Sequence, residues 1–220
     1  MKISGVSHER KWRKPDELAH EEEIIVMLNG EIHKFYCIPD GLEEMIAGNL
    51  KSRGIDPSIC QIKKLGNNEF EVKVSQEPVK AARTCDSKKK LTQGEVFGLV
   101  RALNENSYLY RKTGCTHVIG ICEDKRIFVE DISRHCAIDK AIGRAIKGGI
   151  NLAESSLVSS CRQTASTITK AIFCGIPIVI SIAAVTDLAI KEANKHEITL
   201  IGYAGSDGFN IRSHDWRIKA

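Results

Sequence analysis

From Thr113 onward the chain alternates short β-branched runs with segments of helical periodicity, and this rhythm restricts the fold more than any other feature of the sequence. Strands are predicted at 118–122, 126–130, 156–160, 176–182 and 199–203, with helices at 135–147, 163–173 and 185–196 between them. Strands separated by helix-length segments call for a largely parallel sheet, because a parallel neighbour needs a crossover and the crossover helices cover the sheet faces. The fold class is therefore α/β (α+β overall). In open sheets of this kind ligands bind at the carboxyl edge of the strands, where helix N-termini offer backbone N–H groups.

The N-terminal part has a different texture. A run of apolar residues at 24–28, then Asn29-Gly30, then an alternating face at 32–38 gives a hairpin signal, since Asn-Gly supplies the positive φ of a type I′ turn. Asp40 is placed to cap a helix carrying Leu42, Met45, Ile46 and Leu50, and Gly54 to end it. A second strand pair is expected at 59–65 and 69–75. Periodicity then disappears between 76 and 90 while Lys80, Arg83, Lys88, Lys89 and Lys90 accumulate, so a mobile basic loop bearing Cys85 is expected. Thr92 and Glu95 have the spacing of a capping box and open a helix that runs to Asn106. The expected organisation is a poorly ordered lead-in at 1–22, a β-rich lobe at 23–90 and an α/β ligand-binding domain at 91–220.

Composition narrows the function classes. Lys and Arg number 32 against 28 Asp and Glu, the acids are interspersed, and aromatics are only 5%, which argues against a nucleic-acid binder and favours an anionic small ligand. The longest apolar run, at 171–184, is broken by Gly175, Pro177 and Ser181 and falls short of the ~20 residues that cross a bilayer. No membrane partner is expected, and the mixed charges before the first apolar stretch do not read as a secretory leader, so the cytoplasm is the expected compartment. The eight cysteines, none in a CxxC pair, read as reduced thiols.

Four polar segments fall at strand ends: 113–117 (TGCTH), 130–140 (EDISRHCAIDK), 159–164 (SSCRQT) and the glycine-rich 202–210. Arg134 and His135 are candidate ligand contacts, with Asp139 and Lys140 bracing the helix and turned outward. His117 reads either as a ligand contact or as a satisfied strand-edge histidine. Cys136, Cys161 and Cys174 read as packed thiols. Cys115, His117, His135 and Cys136 could in principle converge on a zinc ion, but not with the spacing of a known finger. No P-loop, GxGxxG or Ser-His-Asp order is present.

Taken together, TGCTH, EDISRHCAIDKAIG, SSCRQT, CGIPIVIS and GYAGSDGFN, in that order, resemble the FdhD family over nearly the whole chain from Glu23 to Ile211. The resemblance implies a three-layer cytidine-deaminase-like α/β domain with a smaller N-terminal β-rich lobe. It further implies a sulfur carrier that takes sulfur as a persulfide from a cysteine desulfurase and passes it to the molybdenum cofactor, bis-molybdopterin guanine dinucleotide, before insertion into formate dehydrogenase. A homodimer is implied, and GDP is an alternative bound ligand. The deaminase HxE and PCxxC signature is absent, and no metal is expected.

The family carries its reactive cysteine in a CxxC before the capping-box helix. Cys85 matches the first cysteine, and Lys88 stands at the second position. By the same resemblance, the turn Tyr203, Ala204, Gly205, Ser206, Asp207 and Gly208, with His117, Arg134, His135, Ser160 and Arg162, would hold the cofactor. The backbone N–H groups of Gly205 to Gly208 would cradle a pyrophosphate, and neighbouring lysines would favour a Cys85 thiolate. The missing second cysteine leaves room for another reading, a nucleotide-binding module that no longer transfers sulfur. A zinc-dependent hydrolase on the same scaffold is a third.

Overall fold

The computed structural model describes residues 2–6, 11–75 and 84–219. Lys2–Val6 (β1) and Lys11–Pro15 (β2) form an antiparallel pair within the stretch expected to be a lead-in. Glu22–Leu28 (β3) and Glu31–Cys37 (β4) are the expected hairpin, turned by Asn29 at φ 47° and Gly30 at φ 89°. Helix Leu42–Lys51 (α1) follows, then Cys60–Lys64 (β5) and Glu69–Val74 (β6). These strands form one sheet in the order β4-β3-β6-β5, on which Met45, Ile46 and Leu50 of α1 meet Ile24, Val26, Phe70 and Val72. Asp40 is not the cap of α1. Gly41 holds that position, and the Asp40 carboxylate points to Lys140 and Arg144 instead.

Leu91–Thr92 (β7) leads into Gln93–Glu105 (α2), whose start is the expected capping box: Thr92 Oγ1 accepts from the Glu95 N–H and Glu95 accepts from the Thr92 N–H. The chain continues with Tyr108–Thr113 (α3), His117–Cys122 (β8), Arg126–Asp131 (β9), Arg134–Lys147 (α4), Ser156–Ser159 (β10) and Ala165–Cys174 (α5). It ends with Ile178–Ser181 (β11), Asp187–Lys195 (α6), Thr199–Gly202 (β12), Asn210–Ser213 (β13) and Ile218–Lys219 (β14). Six strands make the main sheet, in the order β13-β12-β11-β10-β8-β9.

Strand alternation sends neighbouring residues to opposite faces, and both faces are covered. Ile119, Ile121, Leu157, Val179 and Leu200 pack against α4, α5 and α6, while Val118, Val158, Ile178, Ile180 and Ile201 pack against Val96, Leu99, Val100 and Leu103 of α2. The result is three layers. The sheet is more mixed than the rhythm predicts: β10, β11 and β12 are parallel neighbours, but β8 and β13 run antiparallel to the strands beside them. For the β8–β9 and β12–β13 pairs the reason is local, since too few residues join the two strands for a crossover.

Helices α1 and α4 join lobe to domain by backbone contact. A Cβ at Gly48 would overlap the Asp139 carbonyl, and one at Gly143 would overlap the carbonyl of Glu44. Around this crossing lie two buried ion pairs. Lys140, fully buried, reaches Asp131 at 2.6 Å, Asp40 at 2.9 Å and the Ile38 carbonyl at 2.7 Å. Asp139, 1% exposed, accepts from Lys170 at 2.6 Å, Asn49 at 2.8 Å and Ser52 at 3.0 Å. The expectation that Asp139 and Lys140 turn outward is therefore corrected. The helix face that a lone domain would leave to solvent is covered here by the lobe.

Candidate functional site

The carboxyl ends of β10, β11 and β12 lie beside the start of β8 and the end of β9, since β8 runs opposite to its neighbours. Most of the residues chosen from the sequence gather at this edge. His117, the first residue of β8, and Ser160, just past β10, line a cavity of about 540 Å³ with Cys115, Thr116, Tyr110 and Ile182. Ser160 is held there by its own backbone: its N–H donates to the Val118 carbonyl at 3.0 Å and its Oγ accepts from the Val118 N–H at 2.8 Å. Arg134 opens α4 behind Ser133, whose Oγ caps the helix.

The edge is electropositive. Burial, with help from the guanidinium charges of Arg134 and Arg162, holds the His117 pKa below its ordinary value. Burial, followed by Lys170 and Arg134, does the same for His135. The buried Nε of Arg134 has no acceptor among the described residues. Arg134 and Arg162 beside the neutral His117, with the N-termini of α4, α5 and α6, thus lie at one edge, an arrangement suited to an anion, while His135 stands near the Lys170–Asp139 pair.

The glycine-rich turn after β12 reaches this edge from the other side. Tyr203 takes φ 53°, donates its N–H to the Ala183 carbonyl and leaves its ring exposed, while Ala204 is buried and donates to Ser181. Gly205 and Ser206 line a second cavity of about 430 Å³ with Phe97, Arg101 and Arg111; the two cavities share Asn104 and Arg111. One expectation fails in detail. The Gly205 N–H is not free for a phosphate, because it donates to the Gly208 carbonyl at 2.9 Å and closes the turn. Asp207 takes the Ser206 hydroxyl.

Sequence reasoning missed Asn104 and Arg111, which sit on α2 and α3. No local pattern marks them: Arg111 reads as one more surface base, yet it donates to the Asn104 and Glu105 carbonyls and joins the end of α2 to the pocket. Glu130, part of the acid-rich strand end, accepts from the N–H groups of Leu109 and Tyr110 and from Thr116, so it anchors α3 rather than facing a ligand.

Cys85 is not with these residues. Its N–H donates to the His196 carbonyl at 3.1 Å and its Sγ lies 3.8 Å from the Gly175 oxygen. Gly175 precedes β11 and His196 precedes β12, so the thiol sits at the amino edge of the parallel strands. Helix α2, about 20 Å long, runs from this edge to the pocket at the other. Nor is Cys85 free: it is 9% exposed, and Arg217 donates to the carbonyls of Cys85 and Ser87 at 3.4 and 3.2 Å. The expected mobile loop is therefore corrected at Cys85, by long-range bonds that no local pattern reveals. Lys88 and Lys90 are exposed as expected, and Lys80 and Arg83 lie outside the described residues.

The remaining thiols divide clearly. Cys136, Cys161 and Cys174 are buried, and burial pushes Cys174 up to about 12. Cys115 is exposed, while Cys136 lies with Cys37 in the core of the lobe. Among the described residues no three His, Cys, Asp or Glu side chains are grouped to hold a metal ion, and no helix is long and apolar enough to cross a membrane.

The chain is similar to known proteins over most of its length. Residues 68–219 match the FdhD/NarQ family model. The sulfur carrier protein FdhD of Bacillus pumilus is 30% identical over 93% of this chain and 91% of its own, and that of Methanothermobacter thermautotrophicus is 28% identical over 97% and 95%. In three dimensions the chain matches, over its whole length and with a TM-score of 0.87, a crystal structure assigned as a formate dehydrogenase accessory protein from Desulfotalea psychrophila, 22% identical in sequence.

Proposed function

Because the chain belongs to the FdhD/NarQ family, we propose that it carries sulfur for the maturation of formate dehydrogenase, with Cys85 as the carrier and the carboxyl-edge pocket as the seat of the molybdenum cofactor or of GDP. The observation that carries this reading is the placing of Cys85. Six of the other cysteines belong to or pack on hydrophobic clusters, whereas Cys85 is covered by polar backbone and one arginine, a cover that can be removed without opening a core. A cysteine desulfurase supplies the sulfur. The Cys85 thiolate attacks the outer sulfur of the donor persulfide, that S–S bond breaks, a new one forms on Cys85, and the donor cysteine leaves as a thiolate. Release as hydrosulfide then needs an incoming thiol, which attacks the Cys85 sulfur and leaves a mixed disulfide there.

At the other edge, Arg134 and Arg162 attract a pyrophosphate, Tyr203 offers a ring for stacking, and His117 and Ser160 line the floor. Incubation with a cysteine desulfurase and cysteine, followed by peptide mass spectrometry, is expected to add 32 Da sulfur to Cys85 and to lose that label in Cys85→Ser. Label absent from Cys85 in the unsubstituted protein overturns the relay. A second reading, a nucleotide-binding module without transfer, draws on the distance between Cys85 and the pocket; retained GDP binding with no label anywhere would favour it.

A further inference from the structure

The last residues of the described chain cross the Cys85 segment. Arg217 is completely buried and its guanidinium bridges three carbonyls: Glu197 at 2.7 Å, Ser87 at 3.2 Å and Cys85 at 3.4 Å. Its Cζ lies 3.9 Å from the ring centroid of Trp216, over which Lys90 is also placed at 5.6 Å. One residue further on, β14 pairs with β7, Ile218 against Leu91 and Lys219 against Thr92. The segment from Cys85 to Thr92 is thus tied along its length to the C-terminal strand; from Cys85 to Lys90 its bonds are polar contacts, while Leu91 and Ile218 pack on the core under α2 and anchor its far end.

We propose that Arg217 is a positioning residue for sulfur transfer, the clasp of a latch in which the stretch from His214 to Lys219 holds Cys85 closed at the amino edge and releases it for reaction. The bonding favours a latch over a permanent wall. The Arg217 Nε–H has no acceptor among the described residues, so the guanidinium is incompletely satisfied where it is buried, a condition that lowers the cost of withdrawing it. Release also solves the separation of the two edges. Hinged at Leu91, which stays in the core, the roughly six residues from Cys85 to Lys90 extend to about 20 Å, about the length of α2, so a freed thiol can swing along the helix towards the pocket.

The latch rests on Cys85 being the carrier, but its test does not. Alkylation of the native protein with a maleimide, read cysteine by cysteine by mass spectrometry, contains its own standards: exposed Cys115 reacts first, and buried Cys161 and Cys174 only on global unfolding. Cys85 is expected to react more slowly than Cys115, with a rate that depends weakly on low urea, as local opening does. In Arg217→Ala its rate should rise roughly tenfold or more, with Cys161 and Cys174 still protected, and Arg217→Lys should recover part of the protection. A Cys85 rate equal to that of Cys115 in the unsubstituted protein overturns the latch, as does a rate unchanged by Arg217→Ala. If that variant does not fold, the urea dependence decides alone: Cys85 reacting only together with Cys161 also overturns it. Persulfide mapping on the unsubstituted protein then fails or succeeds separately.

Discussion

His117 shows how one side chain senses its surroundings. Burial, Arg134 and Arg162 all disfavour its proton, so in the free protein it is held neutral. As pH falls through about 6.5 the unfolded chain takes up this proton first, and stability is lost from there down to the lower folded value. An anion in the pocket offsets the two guanidinium charges and raises the His117 pKa, so binding takes up a proton. Affinity for GDP measured by calorimetry is therefore expected to strengthen as pH falls from about 7.5 to 5.5, by up to roughly tenfold per unit of pKa change. His117→Gln should show a flatter profile; equal slopes in both proteins would remove His117 from the site. The sequence announced this residue and Ser160 through the strand-end polar runs. It did not announce Arg111 or the burial of Cys85, because each depends on partners far along the chain.

At the scale of elements, local chemistry was legible and crossings were not. The Asn29-Gly30 turn, the Thr92–Glu95 box and most helices of the second domain are where pattern and capping put them. Helix α3 and strands β13 and β14 went unread, being too short to show a period. The α1–α4 crossing was equally silent, since Gly48 and Gly143 inside helices look like weak points rather than contacts. Two substitutions separate these roles. Gly48→Ala, whose Cβ would meet the α4 backbone, is expected to destabilise by about 1–3 kcal/mol or more. Gly98→Ala, in α2 with open space around it, should stabilise by roughly 0.5–1 kcal/mol. Urea unfolding of both variants checks the pair, and a neutral Gly48→Ala would mean that the helices can separate freely.

For the whole molecule, the question is what keeps the N-terminal four-stranded sheet and α1 on the rest of the fold. Lys140 answers it from the domain side, with Asp131, Asp40 and the Ile38 carbonyl around one ammonium. Its pKa is raised although burial opposes the charge, because the two carboxylates outweigh the desolvation. Lys140→Ala leaves Asp131, fully buried, without its cation, and is expected to lose about 3–5 kcal/mol. The urea midpoint reports this loss, and a change below 1 kcal/mol would show that the buried Lys140–Asp131 pair contributes little to stability.

The sheet has two rims, and they face away from each other. Whatever approaches Cys85 and whatever enters the His117 cavity therefore do so from opposite sides of the sheet.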